Sequence, residues 1–149
     1  MNYWRMQLHP CAPGSAAGHA TQSLSAGFIG LDFHEDCGDL SKADPNDIST
    51  GQKDYVQFWR DMQIGDKVLI VVHHFPFALV EVAGEYNYIK NTEPEIGVWF
   101  RHFRRVKNVK YYSDFRTNAA SWSQVRMTDT ISVLRSTDTK SYQLIEEWK

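Results

Sequence analysis

Val68-Leu69-Ile70-Val71-Val72 is the longest uninterrupted apolar run in the chain, and its length bounds what the chain can become. A membrane-spanning helix needs about 20 consecutive apolar residues, so this run is far too short to cross a bilayer. It is rich in β-branched residues and follows Gly65, which reads as a strand buried on both faces. Before it, Tyr55, Phe58, Trp59 and Met62 fall at i, i+3, i+4 and i+7, predicting a helix over 53–62 that Gly65 closes. After it, residues 79–88 alternate as an antiparallel neighbour would, with 73–77 as the connection.

The rest of the chain reads as short elements separated by turns. Residues 3–8 predict a first strand, Cys11-Ala-Pro-Gly a turn, and 15–25 a short helix stopped by Gly27. Residues 28–33 form a short extended piece. Residues 34–51 carry Gly38, Asp39, Asp44, Pro45 and Asn46, the chemistry of a long surface loop. Residues 98–112 read as one bent strand or two, with Val98, Phe100, Phe103, Val106, Val109 and Tyr111 on the apolar side and a bulge near Phe103. A helical turn around Trp122 (118–125), a final strand (130–134) and a terminal helix (139–148) complete the list. Tyr142, Ile145 and Trp148 face inward in that helix. The fold class expected is α+β: a small curved β-barrel of five or six mostly antiparallel strands with helices packed outside.

The length of 149 residues suits a single domain over 1–149. With 42% hydrophobic and 23% charged residues, a disordered chain, a coiled coil and a collagen-like repeat are excluded. Asn2, Arg5, Gln7 and His9 interrupt the N-terminus, so no signal peptide is expected. The last residues end in mid-helix without a stop signal, as expected either of a domain cut from a longer chain or of a standalone protein whose terminal helix frays. Cys11 and Cys37 are the only cysteines, too few for a disulfide framework. A reducing, cytoplasmic setting with no membrane partner is therefore expected.

Net charge is −2, which is not the footprint of a strong nonspecific nucleic-acid binder. The distribution is uneven. Residues 1–100 hold 6 Lys/Arg and 13 Asp/Glu, whereas residues 101–149 hold 10 and 5. Arg101, Arg104, Arg105, Lys107 and Lys110 fall within ten positions with no acid between them. In a strand such a run is either a solvated face over a core face or a phosphate-contacting ridge, since Arg donates two parallel hydrogen bonds to phosphate oxygens.

Other constellations carry less. His34-Glu35-Asp36-Cys37 with His9 and Cys11 offers zinc-ligand types, but the spacing matches no zinc pattern and there is no C-x-x-C, so an acidic solvated loop is preferred. His73 and His74 point to opposite faces of an extended backbone and so do not share a metal. There is no G-x-S-x-G and no phosphate-binding glycine loop, and Asp32 and Glu35 are too isolated to pair as acid and base. No enzyme activity, cofactor or metal is expected. Twenty aromatic rings (5 Trp, 7 Tyr, 8 Phe) exceed what a core of this size asks for and leave some to stack on a ligand.

Tyr3-Trp4-Arg5-Met6, then Gly27-Phe28-Ile29-Gly30-Leu31-Asp32, then Gly65-Asp66-Lys67-Val68-Leu69-Ile70, then Val80-Glu81-Val82-Ala83-Gly84-Glu85-Tyr86 resemble, in order and spacing, the pattern of the EVE domain. The resemblance covers residues 2–148 and implies the PUA-like superfamily, which includes the YTH and SRA base readers. It implies a non-catalytic module that reads a modified, flipped base in DNA, as the sensor of a modification-dependent restriction or defence system with a fused or associated nuclease or NTPase. An RNA-binding or small-ligand module of the same fold is the alternative. The implied pocket lies between the end of the first strand, residues 28–33 and the loop after Val72. It holds Trp4, Gln7, His9, Phe28, Asp32, Phe33, His73 and His74, with Tyr86 and Tyr88 near its mouth. Arg101, Arg104, Arg105 and Lys107 would hold phosphates. Stacking on such rings is worth about 1–3 kcal/mol per base, and Asp32 accepting from an exocyclic amine would favour cytosine-type or adenine-type bases. Gln7-Leu8-His9-Pro10 and Leu31-Asp32-Phe33 depart from the family pattern within that pocket, so the base is not carried over.

Overall fold

In the computed structural model, residues 1–8, 16–31, 38–42, 53–72, 74–96, 100–112, 125 and 129–148 are described. Among the described residues, seven strands form one sheet: β1 (Tyr3–Gln7), β2 (Phe28–Leu31), β3 (Lys67–Val72), β4 (Phe75–Val82), β5 (Asn87–Tyr88), β6 (His102–Tyr111) and β7 (Ile131–Leu134). The order is β2-β6-β4-β3-β1-β7, with β5 on β6 as well. Helices α1 (Ala16–Ala26), α2 (Lys53–Val56) and α3 (Lys140–Trp148) complete an α+β fold. Every pairing is antiparallel except β1 with β3, which run parallel with Trp4 opposite Val68.

The apolar run is buried on both faces because it lies between two cores. Val68, Ile70 and Val72 join the main core with Trp4, Met6, Leu24, Ile29, Phe58 and Val82. Leu69 and Val71 face a second core with Tyr3, Leu79, Leu134 and Ile145, where α3 packs. Continuous hydrophobicity is the sequence signature of such a strand. In α3, Ile145 is buried and Tyr142 and Trp148 pack partly against this second core.

Several boundaries differ from the sequence reading. The strand pair is tighter than a 73–77 connection: His74 takes a left-handed φ of 66° and β4 starts at Phe75. The bulge is displaced from Phe103 to Asn108, whose φ is 53° and where the β4–β6 register shifts. The predicted helix starts as α2, but residues Gln57–Asp61 widen into a π-turn in which Met62 N–H donates to the Gln57 carbonyl at 2.9 Å. Tyr55, Phe58 and Met62 are buried as the periodicity requires, with Trp59 half-buried. The helical turn expected around Trp122 lies outside the described residues.

The larger correction concerns β6. Its inner face carries His102, Arg104 and Val106, while Phe103, Arg105 and Lys107 turn outward. The sequence reading put Phe103 on the apolar side and read the basic run as a solvated face over a core face or as a phosphate-contacting ridge. His102 and Arg104 turn inward instead, which a strand tolerates because buried polar groups find partners there. Gly30 is fixed by this arrangement. A Cβ on it would lie 2.5 Å from both the Phe100 Cβ and the His102 carbonyl oxygen. Gly30→Ala is expected to cost about 1–3 kcal/mol through displacement of β2 from β6, read as a lower urea midpoint with an unchanged slope.

Candidate functional site

Strand β6 runs past β2 on one side and β5 on the other, and this brings the aromatic residues together. His102, fully buried, packs against Tyr55 (ring centroids 4.5 Å apart), Tyr88 (5.1 Å) and Tyr86 (5.9 Å, stacked at 27°). The Tyr86 hydroxyl accepts the Leu40 N–H at 3.1 Å and lies 2.7 Å from His102 Nδ1. Burial pushes the Tyr86 phenol well above the ordinary tyrosine value. The Asp39 carboxyl nearby is held below its usual range, chiefly by the Ser41 hydroxyl.

A phenol whose pKa is raised on folding keeps its proton in the native state after the unfolded chain has lost it. Its contribution is therefore complete below about pH 10 and is lost as pH rises beyond that value. Tyr86→Phe is expected to flatten the alkaline fall in stability relative to the parent chain. At neutral pH it should cost about 1–2 kcal/mol through loss of the Leu40–Tyr86–His102 link. Urea titrations of both proteins at pH 7 and pH 10.5 check this.

On the outer face, Phe28 meets Phe103 edge-to-face at 5.4 Å, and the Arg105 guanidinium carbon lies 5.6 Å from the Phe28 ring centroid. Phe28 and Phe103 are half-buried, and Arg105 and Lys107 are exposed. Lys107 reaches Glu81 at 3.9 Å with its side chain still 57% exposed. Arg101 is half-exposed before β6, and its carbonyl accepts the Ile89 N–H. This surface of two rings with Arg105 and Lys107 beside them can stack a base and hold a phosphate.

Two predicted site residues are built into the framework instead. Trp4 is 1% exposed, and its indole N–H donates to Asp66 Oδ2 at 2.8 Å. Arg104 is 4% exposed and donates to three carbonyls: Nε to Phe58 (2.9 Å), Nη2 to Trp59 (2.8 Å) and Nη1 to Gly84 (3.1 Å). The π-turn leaves the Phe58 and Trp59 carbonyls without helical donors, and Arg104 supplies them. It therefore stands apart from the exposed ridge of Arg105 and Lys107.

Of the segments expected to frame the pocket, register brings Gln7 beside Val71 at the end of β3. Gln7 is half-buried, and exposed His74 follows in the next turn. Phe28–Leu31 instead lies along the first part of β6, with Leu31 opposite His102. His9, Asp32, Phe33 and His73 lie outside the described residues, as does the His34–Cys37 cluster. Among the described residues, no three of His, Cys, Asp and Glu gather to hold a metal, and no helix is long and apolar enough to cross a membrane.

Sequence reasoning missed a cleft of about 400 Å³ at the end of the π-turn, lined by Trp59, Arg60, Met62, Gln63 and Ile64, and by Ser41, Glu85, Tyr86 and Arg104 from other elements. The helical periodicity marked Trp59 and Met62 as core, and nothing local showed that the helix would widen there.

No protein-family model matches the chain, and no curated protein matches it. Among solved structures, the chain is similar to the YTH domain of the Zygosaccharomyces rouxii MRB1 protein, crystallised in complex with N6-methyladenosine RNA. The identity is 12%, the match covers 99% of this chain and 85% of that chain, and the TM-score is 0.51. At this identity the likeness is one of fold: the chain has an α+β fold similar to that of this YTH domain.

Proposed function

We propose that this domain is a non-catalytic reader of a modified base in nucleic acid. The observation that carries the reading is the fold it shares, over nearly its whole length, with a domain whose structure contains N6-methyladenosine RNA. The rings of Phe28 and Phe103 beside Arg105 and Lys107 supply the surface such a ligand needs. Of the polar residues read from the sequence as base contacts, Gln7 at the end of β1 and exposed His74 after β3 are the described ones available for a base edge. The neighbour's ligand favours RNA as the polymer. A second reading, favoured by the EVE-like motif order, is a modified base in DNA within a restriction or defence system that employs a nuclease or NTPase.

The test is a set of titrations at fixed salt. The probes are RNA with and without N6-methyladenosine, and DNA carrying N6-methyladenine, 5-methylcytosine, 5-hydroxymethylcytosine or no modification. One modified probe is expected to bind at least about tenfold more tightly than its unmodified partner. Equal, weak binding to all probes would overturn the proposal. With the preferred strand, the Arg105→Ala/Lys107→Ala double variant is expected to weaken modified and unmodified probes alike. It should also lower the slope of log affinity against log salt by about 1–2.

A further inference from the structure

The cleft beside the π-turn plays no part in the base-reading surface, yet its electrostatics are unusual. Arg104 carries a full positive charge at 4% exposure. Its three acceptors are neutral carbonyls, and it forms no ion pair among the described residues. A guanidinium has five N–H donors, so two remain after those three bonds. Buried charges are ordinarily paired, because neutral dipoles offset desolvation only in part. Consistent with this, burial pulls the Arg104 pKa down, opposed only by the more distant Asp66 and Glu85.

The walls around that charge are aromatic and apolar. Trp59 and Tyr86 are half-buried, and the Tyr86 hydroxyl is occupied by Leu40 and His102, which leaves its ring as the cleft-lining part. Ile64 is 56% exposed, one of only four large hydrophobic residues so exposed among those described. Exposed Arg60 adds a second cation at the rim, paired with Asp61. An anion attached to a planar ring meets all of these at once: the ring on Trp59 and Ile64, the anion toward Arg104 and Arg60. Glu85, exposed at the same cleft, can accept from an amine or a ribose hydroxyl. The volume lies at the lower end of small-ligand sites, which suits one nucleotide rather than a larger cofactor.

We propose that this cleft is a second binding site, taking a nucleoside monophosphate unit, either free or as one residue of a strand. Isothermal titration calorimetry on the full chain tests it with the four nucleoside 5′-monophosphates, the matching nucleosides and inorganic phosphate. At least one monophosphate is expected to bind tenfold or more tightly than its nucleoside and than phosphate. Trp59→Ala and Ile64→Glu should each weaken that binding at least about fivefold. Because Ile64 is exposed, its variant should melt within a few degrees of the parent, which separates lost binding from lost folding. Monophosphates that bind no better than phosphate, or binding unchanged in both variants, would overturn the site. Titrating Ile64→Glu with the strands named above identifies the source: weakened strand binding assigns the unit to a strand, and unchanged strand binding assigns it to a free nucleotide. Nucleotide binding that persists without any preference for a modified base would remove the reader proposal and leave this one standing.

Discussion

Replacing Asp66 with alanine is expected to lower the melting temperature by roughly 10 °C or more. Asp66 is 1% exposed and its carboxylate accepts three N–H groups: Asn2 backbone on Oδ1 (2.8 Å), and Trp4 indole (2.8 Å) and Gln63 backbone (3.0 Å) on Oδ2. Its own carbonyl accepts the Val82 N–H. One side chain thus joins the start of β1, the turn after α2 and the start of β3. Alanine leaves a buried indole N–H and two backbone N–H groups without acceptors, a loss of about 3–5 kcal/mol. Domains of this size are stable by about 5–15 kcal/mol, so the variant should sit near the edge of folding. Asp66→Asn keeps one acceptor oxygen but turns an amide NH2 toward a donor, and should cost about 1–3 kcal/mol. Calorimetric melts of the three proteins decide it. An alanine variant that melts within 2 °C or so of the parent would show that the three donors find other partners.

Arg104→Met should be nearly as damaging. Methionine keeps an unbranched apolar stem but donates nothing, so the Phe58, Trp59 and Gly84 carbonyls lose their donors together. The guanidinium carbon also lies 5.7 Å from the Phe58 ring centroid, a contact methionine only partly replaces. The expected cost is about 3 kcal/mol. Arg104→Lys should recover less than half of it, because an ammonium is a point donor and cannot span three carbonyls held in a fork. Urea midpoints for the three chains give the comparison, and lysine restoring full stability would count against the fork geometry.

These two residues also show what a single sequence can and cannot convey. Residues 68–72 announce a doubly buried strand because continuous apolar character has few other meanings. The periodicity over 53–62 places Tyr55, Phe58 and Met62 inside for similar reasons. The inner face of β6 was illegible, because His102 and Arg104 read locally as members of a solvated basic run. Their partners, Tyr86 for one and the Phe58 and Trp59 carbonyls for the other, lie 16 to 46 residues away. Asp66 sat within a motif whose order resembles a known pattern, yet its role depends on Trp4, 62 residues distant. Of the rings the sequence offered for stacking on a ligand, Phe28, Tyr86 and Tyr88 gather around β6, while Trp4 belongs to the core. Trp59 reads as a core position and Ile64 carries no signal, because their cleft exists only where a helix widens, and spacing rules assume that it does not.

The place of β1 in the sheet sets a schedule for synthesis. The earliest of the described strands in sequence is an interior one, flanked by β3 on one side and by β7 on the other. Its last partner, Leu134, is made 131 residues after Tyr3, and the Tyr3 hydroxyl bonds Glu146 still later, at 2.6 Å. Contacts this distant in sequence pay their loop-closure entropy before any pairing rewards it, which makes folding slow. The sheet therefore closes only after residues 131–134 have emerged. Until then the strand at 67–72 waits with an apolar face uncovered, and the nascent chain is at its most prone to aggregate in that interval.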